Sequence, residues 1–275
     1  INEDINEEWI SNKTRYACDG LKNQRLDTPY AKIENKFKKV SWKDAYKILA
    51  EKLSKTDPDK IAGITGDLVN METMYSTKEF FEKILNTENL DSRSEDFFVN
   101  TSDRENYLFN SKINGIEESD LIILIGTNPR YEATMLNARI RKAYVQNKTK
   151  ILSFGDVGDL TYKYSIIENN TSELNNFLDK KSELYLLFKN SKSPMIIFGE
   201  SFFKLKSSSF LFDKSKNLVN NHSSNFKNEW KVINVLTKNA SSVGGLDLGL
   251  IHGHDGYNQV LKNIKLNLYE VIFFI

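Results

Sequence analysis

The chain has 275 residues, 40% of them apolar and 27% charged, with a formal net charge of +1. That length supports one large domain or two with a substantial core, and that charge balance gives no global attraction to nucleic acid or to an anionic membrane. Apolar runs such as LIILI (121–125) and VIFFI (271–275) have the length of core strands and fall far short of a bilayer span.

Residues 1–40 read as a packing arm rather than a domain. Trp9, Ile10, Tyr16, Leu21, Leu26 and Tyr30 are scattered among charges, with turns at Asp19–Gly20 and Thr28–Pro29. Lys13, Arg15, Lys22 and Arg25 give the arm a basic surface, solvated or facing a partner. Cys18, the single cysteine, excludes an intrachain disulfide and any cluster or Cys-based zinc site held by this chain alone. It has no activating base close in sequence and reads as a packed or idle thiol of a reducing compartment. A start at Ile1 rather than Met leads us to expect that this sequence opens inside a longer product or after processing.

Ser41 is a good N-cap, with Asp44 at the third helical position and Trp42, Ala45, Ile48, Leu49 and Leu53 as the apolar stripe of a helix ended by Asp57–Pro58. IAGIT (61–65) predicts a strand, and Met71–Leu85 a helix carrying Met74, Phe81, Ile84 and Leu85. Residues 89–110 mix charges with aromatics and predict loop, short strand and short helix.

The stretch from Asp120 to Val145 organises the rest. Leu121–Ile125 is an unbroken, β-branched apolar run, the pattern of a central parallel strand covered on both faces. Gly126 permits a sharp turn, Asn128 can cap the next helix, and Pro129 suits its first turn. Leu136, Ile140, Ala143 and Tyr144 then follow helical spacing, with Arg139, Arg141 and Lys142 on the expected wet side. Further on, KILSFG (150–155) and PMIIFG (194–199) predict strands, and a helix is expected from Thr171 or Ser172 to Phe188. The Ser-, Lys- and Asn-rich region 201–225 reads as a helix with a frayed end and a surface loop, and Asn225–Ala240 as a helix bearing Phe226, Trp230, Ile233, Val235 and Leu236. A glycine-rich loop, SVGGLDLGLIHGHDGY, a short helix around Tyr257–Ile264 and a last strand in YEVIFFI complete the chain.

Short apolar runs alternating with helical segments define the fold class: α/β, layered and Rossmann-like, a mostly parallel sheet flanked by helices. A buried strand at the last residue leads us to expect a domain incomplete at both chain ends, with 1–40 as the arm and 41–275 as the α/β domain.

Ligands of open α/β sheets bind at the turns after the strands. Gly126, Asn128 and Arg130 are therefore the candidate binding residues, able to offer helix amides and a guanidinium to a phosphate. Capping by Asn128 and Pro129, with local pairing of Arg130, explains the same residues without a ligand and carries more weight. No GxGxxG follows any strand: Gly63-Ile-Thr-Gly66 and Gly155-Asp-Val-Gly158 lack the third glycine, and no Walker-type lysine is present. His252, His254 and Asp255 form the one metal-like cluster, but their spacing within a glycine-rich loop favours a solvent-exposed loop, with His222 remote in a polar loop. No carboxylate pair stands out as an acid and base, so no catalytic residue and no metal ligand is assigned.

ESDLIILIGTNPRYEATMLNARIRKAY (118–144), together with INEEWIS (5–11), DGLKNQRLDTPY (19–30), GDLVNMETM, YLFN and ASSVGGLDLGL, is similar to the large iron–sulfur subunit of respiratory complex I. The resemblance is to that subunit's C-terminal domain, which looks like a molybdopterin oxidoreductase without its cofactor, and the HGHD segment departs from the pattern. It implies a non-catalytic structural subunit, or subunit fragment, of the peripheral arm, supporting NADH-to-quinone electron transfer by neighbouring chains. It further implies no cofactor here, with FMN and iron–sulfur clusters in partner chains or in a cluster-bearing portion upstream. The implied partners are other peripheral-arm subunits, with no nucleic acid and no direct membrane span. The Lys and Asn bias favours the matrix side of the mitochondrial inner membrane over the bacterial cytoplasmic face. Related molybdopterin enzymes place a glycine–x–Asn–Pro turn near their pterin nucleotide. Two other readings stay open: a molybdopterin-binding oxidoreductase fragment, which would need a metal-ligand loop not found here, and a stand-alone nucleotide- or anion-binding α/β protein.

Overall fold

A computed structural model describes residues 2–66, 68–92, 99–251 and 256–275. The chain forms two compact units, one of Ile1–Trp9 with Glu95–Asp247 and one of Ile10–Ser94 with Leu248–Ile275. The expected parallel strands thus fall in two sheets, because each unit closes its own apolar core.

The second unit opens with α1 (Asn12–Ala17), the hairpin β1 (Tyr30–Ile33) and β2 (Lys36–Lys39), and α2 (Trp42–Leu53). Ser41 Oγ accepts from the Asp44 amide at 3.1 Å, as its capping position predicts. Neither α1 nor α2 has a buried residue, so the stripe of α2 lies at the surface. Next come β3 (Ile61–Ile64), α3 (Met71–Glu79), a π-helical turn at Phe80–Ile84 and β4 (Leu90–Asp91). Met74, Phe81 and Leu85 are buried as the spacing predicts, whereas Ile84 is 67% exposed.

The first unit carries the organising strand. It runs through β5 (Leu121–Ile125), α4 (Pro129–Glu132), α5 (Thr134–Asn147), β6 (Lys150–Phe154), β7 (Ser165–Ile167), α6 (Thr171–Leu178) and α7 (Glu183–Asn190). It continues with β8 (Pro194–Gly199), α8 (Glu200–Phe203), α9 (Ser208–Asn220), β9 (Ile233–Leu236) and α10 (Ser242–Asp247). The chain returns to the second unit for α11 (Gly256–Lys265) and β10 (Val271–Phe274).

Sheet order in the first unit is β7-β6-β5-β8-β9, all parallel. In chain order that is 3-2-1-4-5, the doubly wound order in which the chain first builds outward on one side of its first strand and then on the other. Every residue of β5 is buried. Leu121, Ile123 and Ile125 join one core with Phe177, Phe188 and Phe198, while Ile122 and Leu124 join another with Ile140, Ile151 and Ile197. Two cores on opposite faces explain the unbroken apolar run, since alternate side chains point to opposite faces and both are dry. Each such residue contributes about 1.5–3 kcal/mol by leaving water. The second unit has a smaller parallel sheet, β10-β3-β4, over Ile61, Met74, Phe81 and Leu90.

Several local expectations are corrected. Asn225–Ala240 is not a helix: its apolar residues imitate helical spacing, but Ile233–Leu236 pairs with β8 as a strand. The helix expected over 171–188 is two helices, separated at Lys180, where φ is +66°. The helix expected within 201–225 is present as α9, with Leu211, Phe212 and Leu218 buried. Residues 165–167 form an unforeseen strand, and SVGGLD is helical rather than loop. Cys18 is exposed, not packed.

Candidate functional site

The switch point of the five-stranded sheet lies between β5 and β8, where the two halves diverge. Gly126 follows β5 with φ +64°, and a Cβ there would lie 2.6 Å from the Phe202 amide nitrogen. Gly199 closes β8, and a Cβ on it would lie 2.3 Å from the Gly126 carbonyl oxygen. Both glycines are therefore required by the close crossing of two backbones, and Ser201 Oγ fastens it by donating to the Gly126 carbonyl.

Beside this crossing opens a cavity of about 640 Å³. Its floor is apolar, with Ile125, Phe154, Leu174, Phe202 and Leu205, and its rim carries Thr127, Asn128, Asn169, Asn170, Thr171 and Ser201 with the carboxylates of Glu132 and Asp156. Thr127 Oγ1 donates to Glu132 Oε2 at 2.6 Å. The Gly158 amide, and after it the Tyr164 hydroxyl, each 2.8 Å away, hold the Asp156 carboxyl below its usual value, so it is charged at neutral pH. Asn170 is occupied as the N-cap of α6, accepting from the Glu173 amide at 2.6 Å.

Of the expected binding residues, Gly126 and Asn128 line this cavity and Arg130 does not. Asn128 Oδ1 accepts from the Arg130 amide at 3.2 Å while its Nδ2 donates to the Val157 carbonyl at 2.8 Å, so the side chain joins the β5 turn to the β6 turn. Arg130 Nη1 pairs with Asp159 Oδ2 at 2.7 Å and also donates to the Asp159 carbonyl. The turn thus spends its polar groups on capping and local pairing. Sequence reasoning missed Glu132, Asp156, Asn169 and Ser201, because only the strand order brings the turns after four different strands together.

A pterin nucleotide carries anionic phosphates and needs cations or free amides to hold them. Among the described residues lining the cavity there is no Lys or Arg, and two carboxylates face it. The expected cation is committed to Asp159, and the first free amide of α4, that of Arg130, meets the Asn128 side chain. These residues do not fit a pyrophosphate, since an anion there would meet like charge with no cation among the described lining residues to offset it.

Elsewhere, His222 is buried at the end of α9 rather than loose in a polar loop. Its Nδ1 lies 2.9 Å from the Leu218 carbonyl and its Nε2 3.1 Å from the Tyr185 hydroxyl. His252, His254 and Asp255 lie outside the described residues. Among the described residues, no three His, Cys, Asp or Glu side chains gather as a metal site, and no helix is long and apolar enough to cross a membrane.

Arg139 overturns its assignment to the wet side of α5. It is 4% exposed. Its Nη1 lies 3.0 Å from Glu117 Oε1, its Nη2 donates at 2.8 Å to the carbonyls of Glu3 and Asn6, and its Nε sits 3.1 Å from Glu7 Oε1. Lys142 Nζ reaches the other Glu7 oxygen at 2.7 Å. The buried guanidinium thus holds residues 3–7 against α5.

Comparison with known proteins bears on the same surfaces. The profile of the NADH-ubiquinone oxidoreductase NDSU1/NuoG-like, 4Fe-4S domain matches residues 1–19, where the chain supplies one cysteine and so cannot alone hold a cluster. The chain is 36% identical over 249 residues to an NADH-quinone oxidoreductase subunit of Rickettsia prowazekii, covering 90% of this chain and 37% of that protein. It is 35% identical over 267 residues to the mitochondrial NADH dehydrogenase (ubiquinone) iron-sulfur protein 1 of Solanum tuberosum, covering 97% and 36%. Against the NADH-ubiquinone oxidoreductase 75 kDa subunit of Reclinomonas americana it is 35% identical over 284 residues, covering 98% and 41%. The chain therefore spans roughly two fifths of the length of these relatives. The molybdopterin oxidoreductase profile matches residues 25–274, and with the doubly wound sheet and its glycine crossing this places the chain in the molybdopterin oxidoreductase family, in the branch that resembles the large iron–sulfur subunit of complex I.

Proposed function

We propose that the chain is a non-catalytic structural portion of the large iron–sulfur subunit of an NADH:quinone oxidoreductase, part of its peripheral arm. The observation that carries this reading is the likeness to the Rickettsia and Reclinomonas relatives along 90–98% of the chain. The switch-point cavity supports the non-catalytic half. Its carboxylates and lack of a described cation disfavour the anionic cofactor of active family members; Thr127 is engaged with Glu132, and Asn170 caps α6.

In this reading residues 1–40 form an arm and junction, and 41–275 a degenerate molybdopterin-oxidoreductase-like domain. FMN and the iron–sulfur clusters reside in partner chains or in a cluster-bearing portion preceding this one, and electrons pass through those groups. The partners are other peripheral-arm subunits, and the location is the matrix face of the mitochondrial inner membrane. The test is native-gel fractionation of gently solubilised source membranes, with the chain located by peptide mass spectrometry. Co-migration with the large NADH-oxidising band is expected, and migration alone overturns the reading.

A further inference from the structure

The second unit presents an apolar face that its own core does not use. In the hairpin register Tyr30 opposes Lys39 and Lys32 opposes Phe37, so these four side chains share one face. Tyr30, Phe37 and Trp42 line a shallow, mostly apolar cavity of about 570 Å³ with Leu26 and Pro29, and Asp27 and Thr28 complete its lining. Trp42 extends it along α2 by packing on Tyr46, ring centroids 5.7 Å apart. Phe37 is 75% exposed, Leu26 86%, Tyr46 63% and Trp42 59%. Such a density of exposed aromatics is the composition of an interface centre rather than of a free surface.

Charge says what covers it. Residues 10–53 carry eleven Lys and Arg against five Asp and Glu, in a chain whose net charge is only +1. Lys32 and Lys39 share the aromatic face and Lys43 follows Trp42; none of the three pairs with a carboxylate among the described residues, although other lysines of this region do, Lys38 with Glu34 and Lys47 with Glu51. A basic rim around an apolar centre is complementary to a protein surface with the opposite rim. Nucleic acid and anionic lipid would satisfy the lysines, but aliphatic Leu26 and Pro29 beside the rings favour a protein contact.

We propose that the face centred on Tyr30, Phe37 and Trp42 is the docking surface for an acidic protein surface with an apolar centre. The proposal rests on the reading of the chain as part of a larger assembly, and it adds the site and the chemistry of the contact. A zero-length carbodiimide, which joins lysine amines to carboxylates in direct contact, tests it in gently solubilised source membranes, read by mass spectrometry alongside native migration. Lys32, Lys39 and Lys43 are expected to couple to Asp or Glu of a different polypeptide, and to react with acetylating reagent at least about tenfold more slowly in the assembly than after its dissociation. Because Trp42 is largely exposed, Trp42→Ala is expected to leave the chain's melting unchanged while weakening its retention about thirtyfold. Lys32→Glu with Lys39→Glu should release it, and the matching Arg variants should not. If the chain co-migrates with the NADH-oxidising band while these lysines stay fully reactive, the docking face is wrong and the assembly reading stands. If it migrates elsewhere but couples to an acidic polypeptide, the assembly reading fails and the docking face stands. Coupling only to a second copy, or protection by anionic lipid or nucleic acid alone, overturns the proposal.

Discussion

Replacing Arg139 with Met keeps most of the stem volume and removes the charge. The structure sets the magnitude. The guanidinium neutralises a Glu7 side chain that is 2% exposed and satisfies the carbonyls of Glu3 and Asn6. Removing one partner of a buried ion pair costs about 3–5 kcal/mol, because the other charge is left in low dielectric. Two features reduce this. Lys142 still holds both Glu7 oxygens, at 2.7 and 3.0 Å, and residues 2–9 can detach locally so that Glu7 regains water. We expect a loss near the bottom of that range, about 3 kcal/mol, expressed mainly as opening of the N-terminal segment. Hydrogen exchange read by mass spectrometry should then show the Ile5 and Asn6 amides, which donate to the Asn2 carbonyl, exchanging about a hundredfold faster. Arg141→Met is the control: Arg141 is exposed and donates to the Thr161 carbonyl, so its loss should stay within about 0.5 kcal/mol. Equal exchange of residues 2–9 in both variants and the wild type would refute the claim that Arg139 holds this segment.

Gly126→Ala should lower stability by more than about 2 kcal/mol in guanidinium unfolding, from the left-handed backbone strain plus the 2.6 Å approach to Phe202 N; a smaller loss would mean that the crossing relaxes freely. Asp247 is held below its usual value of 3.8 chiefly by Arg104, with Tyr107 also donating at 2.9 Å. A depressed carboxylate contributes stability above 3.8 that is lost as pH falls through the folded-state value, so melting temperatures should fall on acidification below about pH 4, and Asp247→Asn should flatten that fall. Guanosine diphosphate at millimolar concentration should leave the melting temperature unchanged, whereas a ligand at about 100 times its Kd would add about 2.7 kcal/mol; clear stabilisation would restore an anion site at the Gly126 turn.

Local pattern determined much of this protein. Leu121–Ile125 announces a strand buried on both faces because no side chain in it tolerates water, and Ser41 with Asp44 fixes the start of α2 through hydrogen bonds that span a single turn. Gly126, Asn128 and Pro129 specify their turn for the same reason. The tertiary structure decided whatever depended on residues distant in sequence. Ile233–Leu236 is a strand because β8 offers a parallel edge, and Asn234 is fully buried there because Ser111 donates to it from both its amide and its hydroxyl. Arg139 is interior because Glu7 and two carbonyls arrive to meet it, which no helical wheel can display. The switch-point cavity could be anticipated only as a turn, since Glu132, Asp156, Asn169 and Ser201 follow different strands and meet through the strand order. Periodicity reports which side of an element shuns water; what lies on that side is set by chain segments that the local sequence does not encode.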